Sequence, residues 1–487
     1  MEKVRVRFAP SPTGYLHIGG LRTALYNYLY AKKMGGDFLL RIEDTDRTRY
    51  VEGAIENLIA ALDWASVKNN EGVMVGENGV YEEGEYGPYI QSDRVKEGIY
   101  QKYIDILIEK GLAYYCFCSK ERLDEVRNRQ KADGLIPRYD GLCRSLSIEE
   151  AKKRIAAGEE YVVRLKLPTN EDIEFEDVVK GKITINTSDL DDQVLIKQDG
   201  FPTYHFAVVV DDHLMGITHI VRGDEWISST PKHVFLYDAF GWERPKFVHL
   251  PTVLNKQRKK LSKRHDDVSA MDFKEQGYLP EALVNYLALV GWSPDDNEEI
   301  MSMDKLIEKF SFDRVSKNGG IFDRDKLNWV NQHYIRALDD EKLKELIKPY
   351  LVKDGVIDED FSDEKLLLIA STFKESLDRL MDITEKTSFV FNGDFDLEED
   401  AKEFIENSDI ASLSNAFIEE LKEIDEVDEE FSKGVMKKIQ KKTGIKGKNL
   451  YMPTRAALTG MVHGPEFDKV LLLLGKEEII KRLEKYI

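Results

Sequence analysis

Apolar and polar positions near the N-terminus follow the pattern of a βαβ unit. Residues 4–8 alternate and are rich in strand-forming side chains, so they predict a first strand. The apolar side chains that follow share the spacing of one helix face; they are Leu21, Ala24, Leu25, Tyr28 and Leu29. Gly35 and Gly36 end that helix, and residues 37–42 predict a second strand. A parallel sheet is therefore expected, with nucleotide-binding chemistry at its first strand-to-helix loop.

The middle of the chain alternates between strand and helix patterns. Between residues 98 and 207, helical stretches interleave with strand-like segments at residues 161–167 and 183–186, which predicts an inserted domain. Apolar runs at residues 206–211 and 218–221 then predict two buried strands.

Helical periodicity dominates beyond residue 272. Residues 280–291, 341–352 and 363–384 each follow the helical period, and strand patterns almost vanish. The C-terminal third is therefore expected to be helical and charged.

Length and composition narrow the class of protein. The 487 residues exceed one ordinary domain, and no apolar run of about 20 residues predicts a membrane span. The N-terminus lacks the apolar core of a signal peptide, and three cysteines cannot form a disulfide framework. We therefore expect a cytoplasmic protein with no membrane partner.

The charge distribution restricts where a nucleic acid could bind. A net charge of −20 argues against a surface that binds phosphate everywhere. Residues 256–264 nevertheless hold six Lys or Arg, and residues 433–448 hold seven Lys. Both stretches suit a nucleic-acid backbone, although solvated loops and helix faces have the same composition.

The first strand-to-helix loop carries candidate ATP-binding residues. They are Ser11, Thr13, Gly14, His17, Gly19 and Gly20. Loop amides and the positive end of the next helix suit a triphosphate. Glycines without a Cβ atom could accept a flat adenine, and the His17 imidazole could donate to phosphate oxygens. The same residues also fit an alternative without ATP, in which glycines begin a helix and the histidine has no function.

A second candidate for ATP chemistry is the Lys-Leu-Ser-Lys-Arg segment at residues 260–264. Lys263 could stabilise charge that develops on the pyrophosphate only in the transition state. Leu261 and Ser262 complete this candidate site. Taken alone, a lysine-rich loop is equally typical of a solvated surface.

Together these motifs resemble those of the bacterial glutamyl-tRNA synthetases, which belong to class I of the aminoacyl-tRNA synthetases. The resemblance covers essentially the whole chain, through residues 7–20, 41–46, 201–213, 222–226, 260–264, 322–329 and 446–455. It implies an α/β fold: a Rossmann-type parallel-sheet catalytic domain with an inserted α+β domain, followed by all-α C-terminal domains.

The resemblance also implies five domains, which occupy six segments of the chain. Two halves of the catalytic domain flank an insertion that binds the tRNA acceptor end; a stem-contact domain with the Lys-Leu-Ser-Lys-Arg loop and two helical anticodon-binding domains follow. In chain order the expected boundaries are 1–97, 98–207, 208–261, 262–338, 339–393 and 394–487.

The same resemblance assigns residues to substrates. Arg7 and Arg222 are fork-shaped donors suited to carboxylates. Glu43 is placed to meet the α-amino group of glutamate, and Tyr204 offers a hydroxyl beside its side chain. The remaining assignments are Ala9 and Ser11 for glutamate, Lys446, Lys448 and Arg455 for tRNA, and His17 and Lys263 as catalytic residues.

The implied reaction is aminoacylation in two steps. The α-carboxylate of L-glutamate attacks the α-phosphorus of ATP, which gives glutamyl-adenylate and pyrophosphate. A ribose hydroxyl at the 3′ end of tRNA(Glu) then takes the glutamyl group. Mg²⁺ accompanies ATP, and no protein nucleophile is needed. Similar enzymes typically require bound tRNA before the adenylate forms, so the same is expected here.

Cys116, Cys118 and Cys143 resemble the zinc knuckle of some family members. That pattern ends with a ligand two residues after the last cysteine, where this chain has Ser145. Zinc takes four good ligands, and by sequence Tyr139 is a poor substitute. Free or buried thiols are therefore the favoured expectation over a zinc site.

The sequence leaves several alternatives open. Discriminating members often carry an arginine in the first anticodon-binding helices, and residues 366–377 contain none, so charging of tRNA(Gln) as well is a hypothesis. A glutaminyl-tRNA synthetase is another alternative. Such enzymes normally have Pro-Glu-Pro-Asn where residues 9–12 read Ala-Pro-Ser-Pro, which argues against it.

Two further alternatives concern the activity itself. Shorter relatives that transfer glutamate to a modified tRNA base lack the helical third that this chain has. A catalytically degenerate paralogue that only binds tRNA is the second alternative, and the intact ATP motifs argue against it because such a protein would not need them. A monomer is expected, because no apolar heptad seam is visible.

Overall fold

The computed structural model describes residues 3–261 and 269–487, and the chain divides into two compact units. The first unit comprises Met1–Phe273 and Leu283–Asp323, and the second comprises Lys274–Ala282 and Arg324–Ile487. None of the described helices is long and apolar enough to span a membrane. The predicted division into six segments, which form five domains, stays a prediction.

All described strands lie in the first unit. They are β1 (Arg5–Phe8), β2 (Asp37–Leu40), β3 (Glu71–Gly76), β4 (Gly79–Glu83), β5 (Ala113–Cys116), β6 (Val162–Leu165), β7 (Asp172–Asp177), β8 (Gly181–Asn186), β9 (Val194–Ile196), β10 (His219–Gly223), β11 (Lys246–Leu250), β12 (Val253–Leu254) and β13 (Gly320–Ile321).

Eight of these strands form the main sheet, in the order β4-β3-β2-β1-β10-β11-β7-β8. Its pairs are parallel except β3 with β4 and β7 with β8, which are antiparallel hairpins at the two edges. Strands β5, β6 and β9 form a separate antiparallel sheet, and β12 pairs with β13.

Helices cover the main sheet and build the second unit. The first eleven are α1 (Ile18–Lys33), α2 (Ala54–Trp64), α3 (Gln91–Lys96), α4 (Ile99–Glu109), α5 (Lys120–Ala132), α6 (Ile148–Ala156), α7 (Tyr204–Leu214), α8 (Thr230–Phe240), α9 (Ala270–Glu275), α10 (Pro280–Leu289) and α11 (Met303–Lys309). The helices of the second unit continue with α12 (Arg324–Ala337), α13 (Asp340–Lys353), α14 (Asp363–Phe373), α15 (Ile383–Lys386), α16 (Ser388–Phe391), α17 (Glu399–Glu406), α18 (Ile410–Lys422), α19 (Glu429–Thr443), α20 (Lys448–Thr459) and α21 (Phe467–Leu483).

The predicted βαβ unit is confirmed as β1, α1 and β2. The apolar stripe of α1 is fully buried at Leu21, Leu25 and Leu29. The chain leaves this helix through glycines for a steric reason: a Cβ atom on Gly36 would lie 2.2 Å from the carbonyl oxygen of Val4. The predicted α/β fold with a helical C-terminal region is confirmed.

The strand predicted at residues 206–211 is wrong, because these residues lie inside helix α7. Its residues from Phe206 to Asp212 are all buried, so both faces of the segment are apolar or packed. A helix that is buried on every side shows no amphipathic stripe, and a short apolar run is then indistinguishable from a buried strand.

The single helical stretch predicted at residues 363–384 is interrupted in the structure. Helix α14 ends at Phe373, and the next helix, α15, begins at Ile383. Between them the backbone N–H of Leu380 donates to the carbonyl oxygen of Gly277 at 2.9 Å. A tertiary hydrogen bond therefore replaces the local helical one, which periodicity does not reveal.

The predicted insertion contributes to two sheets. Its strands β5, β6 and β9 form the small antiparallel sheet, but its hairpin β7–β8 extends the main sheet. The connection to the main sheet is the pairing of Asp177 with Phe247 in β11. A segment that looks separate in sequence therefore completes one edge of the catalytic sheet.

Candidate active site and cysteine cluster

Two adjoining cavities open beside β1, where the chain stops adding strands to one side of the main sheet and begins adding them to the other. Strand β1 pairs with β2 on one side and with β10 on the other, and ligands of such folds bind at the carboxyl ends of strands at this point. The first cavity has a volume of about 830 Å³ and the second about 360 Å³. They share Gly20, Thr23 and Gly223 as lining residues.

The first cavity is lined by all six residues predicted to bind glutamate. Its lining includes Arg7, Ala9, Ser11, Glu43, Tyr204 and Arg222. Thr13, predicted to contact ATP, lines this cavity as well. Gly14 lines neither cavity and has a φ of 148° in the loop after β1.

Buried ion pairs fix the charged wall of the first cavity. Arg7 Nε and Arg41 Nη1 both donate to Asp212 Oδ1, at 2.9 and 2.8 Å. Arg41 Nη2 also donates to Glu43 Oε1 at 2.9 Å. Burial of these groups demands such pairing, because an unpaired charge is costly in the interior. The pairs hold Arg7 and Glu43 in fixed orientations at the cavity wall.

The two carboxyl groups of this wall titrate in opposite directions. Burial raises the pKa of Glu43, and Arg41 and Arg7 offset this only in part. Burial also opposes ionisation of Asp212, but the adjacent Arg7 and Arg41 outweigh it and lower its pKa. Asp212 is therefore the firmly ionised partner, and Glu43 is the carboxylate that would gain most from a ligand cation.

Arg222 differs from Arg7 in the partners it has. Its guanidinium donates to the Tyr204 hydroxyl at 3.4 Å, to Thr230 Oγ1 at 2.9 Å, and to two histidine rings. Among the described residues it forms no ion pair with a carboxylate. Arg222 is 5% exposed and lines the cavity, so a buried positive charge faces the space where a ligand would lie.

The second cavity lies at the N-terminus of α1 and contains the first predicted ATP motif. His17, Gly19, Gly20 and Leu261 line it. His17 caps the helix, and its Nδ1 accepts the backbone N–H of Gly19 at 2.9 Å. The proton of a neutral imidazole is then on Nε2, which makes this nitrogen the donor. Ser262 and Lys263, also predicted to contact ATP, lie outside the described residues.

The geometry adds cavity residues that the sequence prediction did not include. Arg22 lines the second cavity, is 3% exposed, and donates to the carbonyl oxygens of Pro251 and Val290. Trp226 lines the first cavity and packs on Tyr204, with ring centroids 4.3 Å apart. Arg22 lies two residues after the His-Ile-Gly-Gly motif, and Trp226 is the last residue of the 222–226 motif. No sequence pattern marked either side chain as part of a cavity.

The three cysteines converge with a tyrosine beside the small sheet. The sulfur atoms of Cys116, Cys118 and Cys143 all lie within 4.8 Å of one another, and none forms a disulfide. The Tyr139 hydroxyl is 3.3 Å from Cys116 Sγ and 3.6 Å from Cys118 Sγ. The Tyr139 oxygen therefore lies beside the thiols, and its suitability as a fourth ligand stays a prediction.

Hydrogen bonding makes the Cys116 thiol of this cluster acidic. Hydrogen bonding from Cys143, with Tyr139 and Arg164 contributing, lowers the pKa of Cys116 to about 4 against the opposing effect of burial. The same pairing and burial raise the pKa of Cys143. Thiolate is the form of cysteine that binds metals, so Cys116 is ready for coordination.

Comparison with known proteins decides between the remaining readings. Residues 3–329 match the family "tRNA synthetases class I (E and Q), catalytic domain", and residues 342–487 match "Anticodon binding domain". A glutamate–tRNA ligase of Finegoldia magna is 68% identical over 486 residues, which cover 100% of this chain and 99% of that protein. The chain belongs to the class I glutamate–tRNA ligases.

Other members of the family agree with this placement. The glutamate–tRNA ligase of Clostridioides difficile is 56% identical over 99% of this chain and 98% of its own. A crystal structure of a glutamate–tRNA ligase from Elizabethkingia meningosepticum, in complex with its amino acid, matches with a TM-score of 0.89. It is 39% identical and covers 100% of this chain and 99% of that chain.

The second unit carries the anticodon-binding match of this family, and its predicted tRNA contacts differ in environment. Lys446 and Lys448 are exposed and form no ion pair among the described residues, as is also true of Lys437 and Lys441 in α19. Arg455 is half-buried instead, with Nη1 donating to the carbonyl oxygen of Pro465 at 2.8 Å. Its guanidinium also lies 5.0 Å from the Phe467 ring centroid.

Proposed function

We propose that this glutamate–tRNA ligase binds L-glutamate in the first cavity and ATP in the second. The observation that carries the proposal is Arg222, a buried cation whose partners among the described residues are all uncharged. It lies at the wall of a cavity that Arg7 and Glu43 also line. L-glutamate supplies two carboxylates and one ammonium. The guanidinium groups suit the carboxylates, and Glu43 suits the ammonium.

The adjoining second cavity supports an in-line reaction between the two substrates. The α-carboxylate oxygen of glutamate attacks the α-phosphorus of ATP, the bond to the bridging oxygen breaks, and pyrophosphate leaves. Donation from His17 Nε2 and from Lys263 to phosphate oxygens stabilises charge that builds up in this step. The remaining proposed ATP contacts are Ser11, Thr13, Gly14, Gly19, Gly20, Leu261 and Ser262.

The second step transfers the glutamyl group to tRNA. A ribose hydroxyl at the tRNA 3′ end attacks the activated carbonyl carbon, and AMP leaves with the bonding electron pair. Mg²⁺ enters with ATP and neutralises phosphate charge, and phosphates supply most of its ligands. Positioning and charge stabilisation carry both steps, so no protein nucleophile is required.

Aminoacylation of tRNA(Glu) with radiolabelled glutamate and ATP tests this proposal. Arg222→Ala should raise KM for glutamate about a hundredfold or more, because a charge-assisted bidentate contact is lost. Charging of tRNA(Glu) that is unchanged in this variant would contradict the assignment. Adenylate formed without any tRNA would contradict the expected requirement for bound tRNA.

The tRNA specificity is proposed to be relaxed, so that tRNA(Gln) is charged as well. Lys374, near the place of the discriminating arginine, donates to the carbonyl oxygen of Leu338 and to Asp340 Oδ1. Ser376 Oγ donates to the carbonyl oxygen of Phe373 at 2.8 Å. Both side chains are therefore engaged within the protein. Parallel charging of tRNA(Glu) and tRNA(Gln) transcripts decides the question.

The cysteine cluster is proposed to hold zinc through Cys116, Cys118, Cys143 and Tyr139. Three sulfurs and one oxygen at mutual distances of this order suit the tetrahedral coordination that structural zinc adopts. Elemental analysis of the purified protein should find about one zinc per chain, and Cys118→Ser should lower that content. Free thiols with no metal in the intact protein would support the alternative.

We also infer that the protein acts as a monomer in the cytoplasm. The three cysteines are unpaired, as expected in a reducing compartment. Light scattering at micromolar concentration should give a mass near 56.1 kDa, and a mass twice that value would contradict the inference.

A further inference from the structure

Arg222 lies at the centre of a chain of hydrogen bonds that leads away from the cavity in two directions. An arginine side chain has five N–H donors and no acceptor, so every partner must accept. Nε donates to His249 Nε2 at 3.1 Å, and Nη1 approaches His233 Nδ1 at 3.2 Å. Both histidines are at most 1% exposed. The donor-only chemistry of Arg222 therefore dictates where each imidazole carries its proton.

The first branch ends at a buried carboxylate. Because His249 Nε2 accepts, its proton is on Nδ1, which donates to Asp177 Oδ2 at 2.7 Å. The other oxygen, Asp177 Oδ1, accepts the backbone N–H groups of Val179 and Lys180 at 3.0 and 2.7 Å. Burial opposes ionisation of Asp177, but these hydrogen bonds outweigh it and lower its pKa.

The second branch ends at the protein surface. Because His233 Nδ1 accepts, its proton is on Nε2, which donates to His205 Nδ1 at 2.9 Å. His205 then carries its own proton on Nε2 and is half-buried. Burial, with Lys232 and Arg222 adding to it, lowers the pKa of His205 to about 4, so both rings are neutral at physiological pH.

We propose that Asp177, His249, His233 and His205 are positioning residues that hold Arg222 as a rigid cation and thereby select a carboxylate over an amide. The inference rests on the proposed function, in which Arg222 meets a glutamate carboxylate. A carboxylate in direct contact with Arg222 would compensate its charge, as Asp212 does for Arg7. Neutral imidazoles anchor Arg222 without neutralising it.

The selection follows from hydrogen-bond chemistry. A guanidinium that its neighbours prevent from turning presents only donors to the cavity. The carboxylate of glutamate accepts from it in any orientation, whereas the amide of glutamine must present its oxygen and gains no charge attraction. If Arg222 could swing away, the penalty for glutamine would fall, because a mismatch costs most in a rigid site.

The first test reads the proton positions and needs no activity. Long-range ¹H–¹⁵N NMR on ¹⁵N-histidine-labelled full-length protein distinguishes Nδ1–H from Nε2–H rings among the nine histidines, assigned by single substitutions. We expect Nδ1–H for His249 and Nε2–H for His233 and His205. An Nε2–H ring at His249 or an Nδ1–H ring at His233 would overturn the proposal.

The second test compares two substitutions at His233. The amide in His233→Gln keeps one acceptor and one donor, whereas His233→Leu removes both. We expect His233→Leu to raise KM for glutamate and to lower the glutamate-over-glutamine ratio of kcat/KM, each about tenfold or more, with KM for ATP within about twofold. His233→Gln should recover most of both losses. Equal values for the two variants would overturn the proposal.

A remote substitution and a matched control complete the test. In Asp177→Asn one amide oxygen replaces two acceptors, so either the backbone donors or His249 loses its partner, and selectivity should fall as in His233→Leu. His219→Gln is the control. His219 is a buried histidine in β10, the strand that also contains Arg222, but its ring contacts Tyr30. Selectivity that falls equally in the control would overturn the proposal.

The outcomes separate this inference from the proposed function. A wild-type protein that does not charge tRNA(Glu) refutes the function, while the NMR result still decides the hydrogen-bond chain. A wild-type protein that charges tRNA(Glu), combined with unchanged selectivity in His233→Leu, refutes the inference alone.

Discussion

At the scale of single residues, the site depends on groups whose partners come from distant parts of the chain. Arg7, Glu43, Tyr204 and Arg222 belong to dense motifs, and the family resemblance assigned all four to glutamate. They line one cavity. His249 could not be assigned in the same way, because a lone histidine in an apolar strand has no local signal. Its role follows only from the pairing of β10 with β11, where Arg222 lies opposite it.

Asp212→Asn is expected to destabilise the protein. One oxygen of Asp212 accepts from both Arg7 and Arg41, and all three side chains are buried. Removing one partner of a buried ion pair costs about 3–5 kcal/mol. Urea unfolding of the variant should show a loss of this size, whereas Asp63→Asn, at an exposed ion pair with Lys68, should change stability by less than about 0.5 kcal/mol.

The pH dependence of this effect has a definite sign. Arg7 and Arg41 lower the pKa of Asp212 in the folded state, although burial opposes them. The stabilisation is therefore fully present above the unfolded pKa of about 4 and is lost as the pH falls through the folded value. The stability difference between wild type and Asp212→Asn should shrink in acid; a difference that grows would contradict this account.

Gly19→Ala is expected to lower kcat through His17. A Cβ atom at position 19 would lie 3.3 Å from His17 Nδ1, the nitrogen that caps α1, so the imidazole must shift. Displacement of a positioned group by a fraction of an ångström should cost about tenfold in kcat. Gly434→Ala is the control, because a Cβ atom there meets nothing within 4 Å; it should leave kcat unchanged.

At the scale of elements, the strands and helices of the first βαβ unit follow from local pattern, and α7 does not. Periodicity identifies an element by the contrast between its faces, and residues 206–212 of α7 have none, since all of them are buried. The break between α14 and α15 was equally hidden, because the hydrogen bond that causes it reaches Gly277. Elements that present a polar face were predictable, and elements shaped by tertiary contacts were not.

Phe206→Ala tests how far α7 supports the core. Phe206 is fully buried in a cluster that includes Tyr100 and Leu236. Its truncation should destabilise the protein by about 3–5 kcal/mol, because a cavity remains where the ring was. Ile136→Ala, at a side chain that is 81% exposed, should change the unfolding midpoint little. A similarly small effect for both would argue that α7 contributes little to the core.

At the scale of the whole molecule, an acidic protein must bind an acidic partner. The net charge is −20, yet Lys437, Lys441, Lys446 and Lys448 are exposed and form no ion pair among the described residues. Composition predicted this basic stretch, but not which lysines are available. In the structure, by contrast, Lys433, Lys438 and Lys442 of the same stretch form ion pairs with glutamates.

The double variant Lys437→Glu/Lys441→Glu is expected to weaken tRNA binding. Each lysine that neutralises a phosphate in a single-stranded loop contributes about 0.7 to the slope of log affinity against log salt. KM for tRNA should rise about tenfold or more and the slope should fall by about 1.4, with KM for glutamate unchanged. Lys342→Glu/Lys353→Glu changes the charge of the same unit equally, and an equal rise there would show that only net charge matters.

The hairpin β7–β8 connects the insertion to the proposed glutamate site through one carboxylate. Asp177 ends β7, inside the segment expected to bind the tRNA acceptor end, yet its side chain anchors His249 and through it Arg222. A chimaera that exchanges residues 98–207 between two relatives therefore exchanges part of the amino-acid pocket as well. With the proposed roles, residues that affect the amino acid and residues that affect the acceptor end are encoded by the same stretch of gene, so exchanging that stretch transfers both.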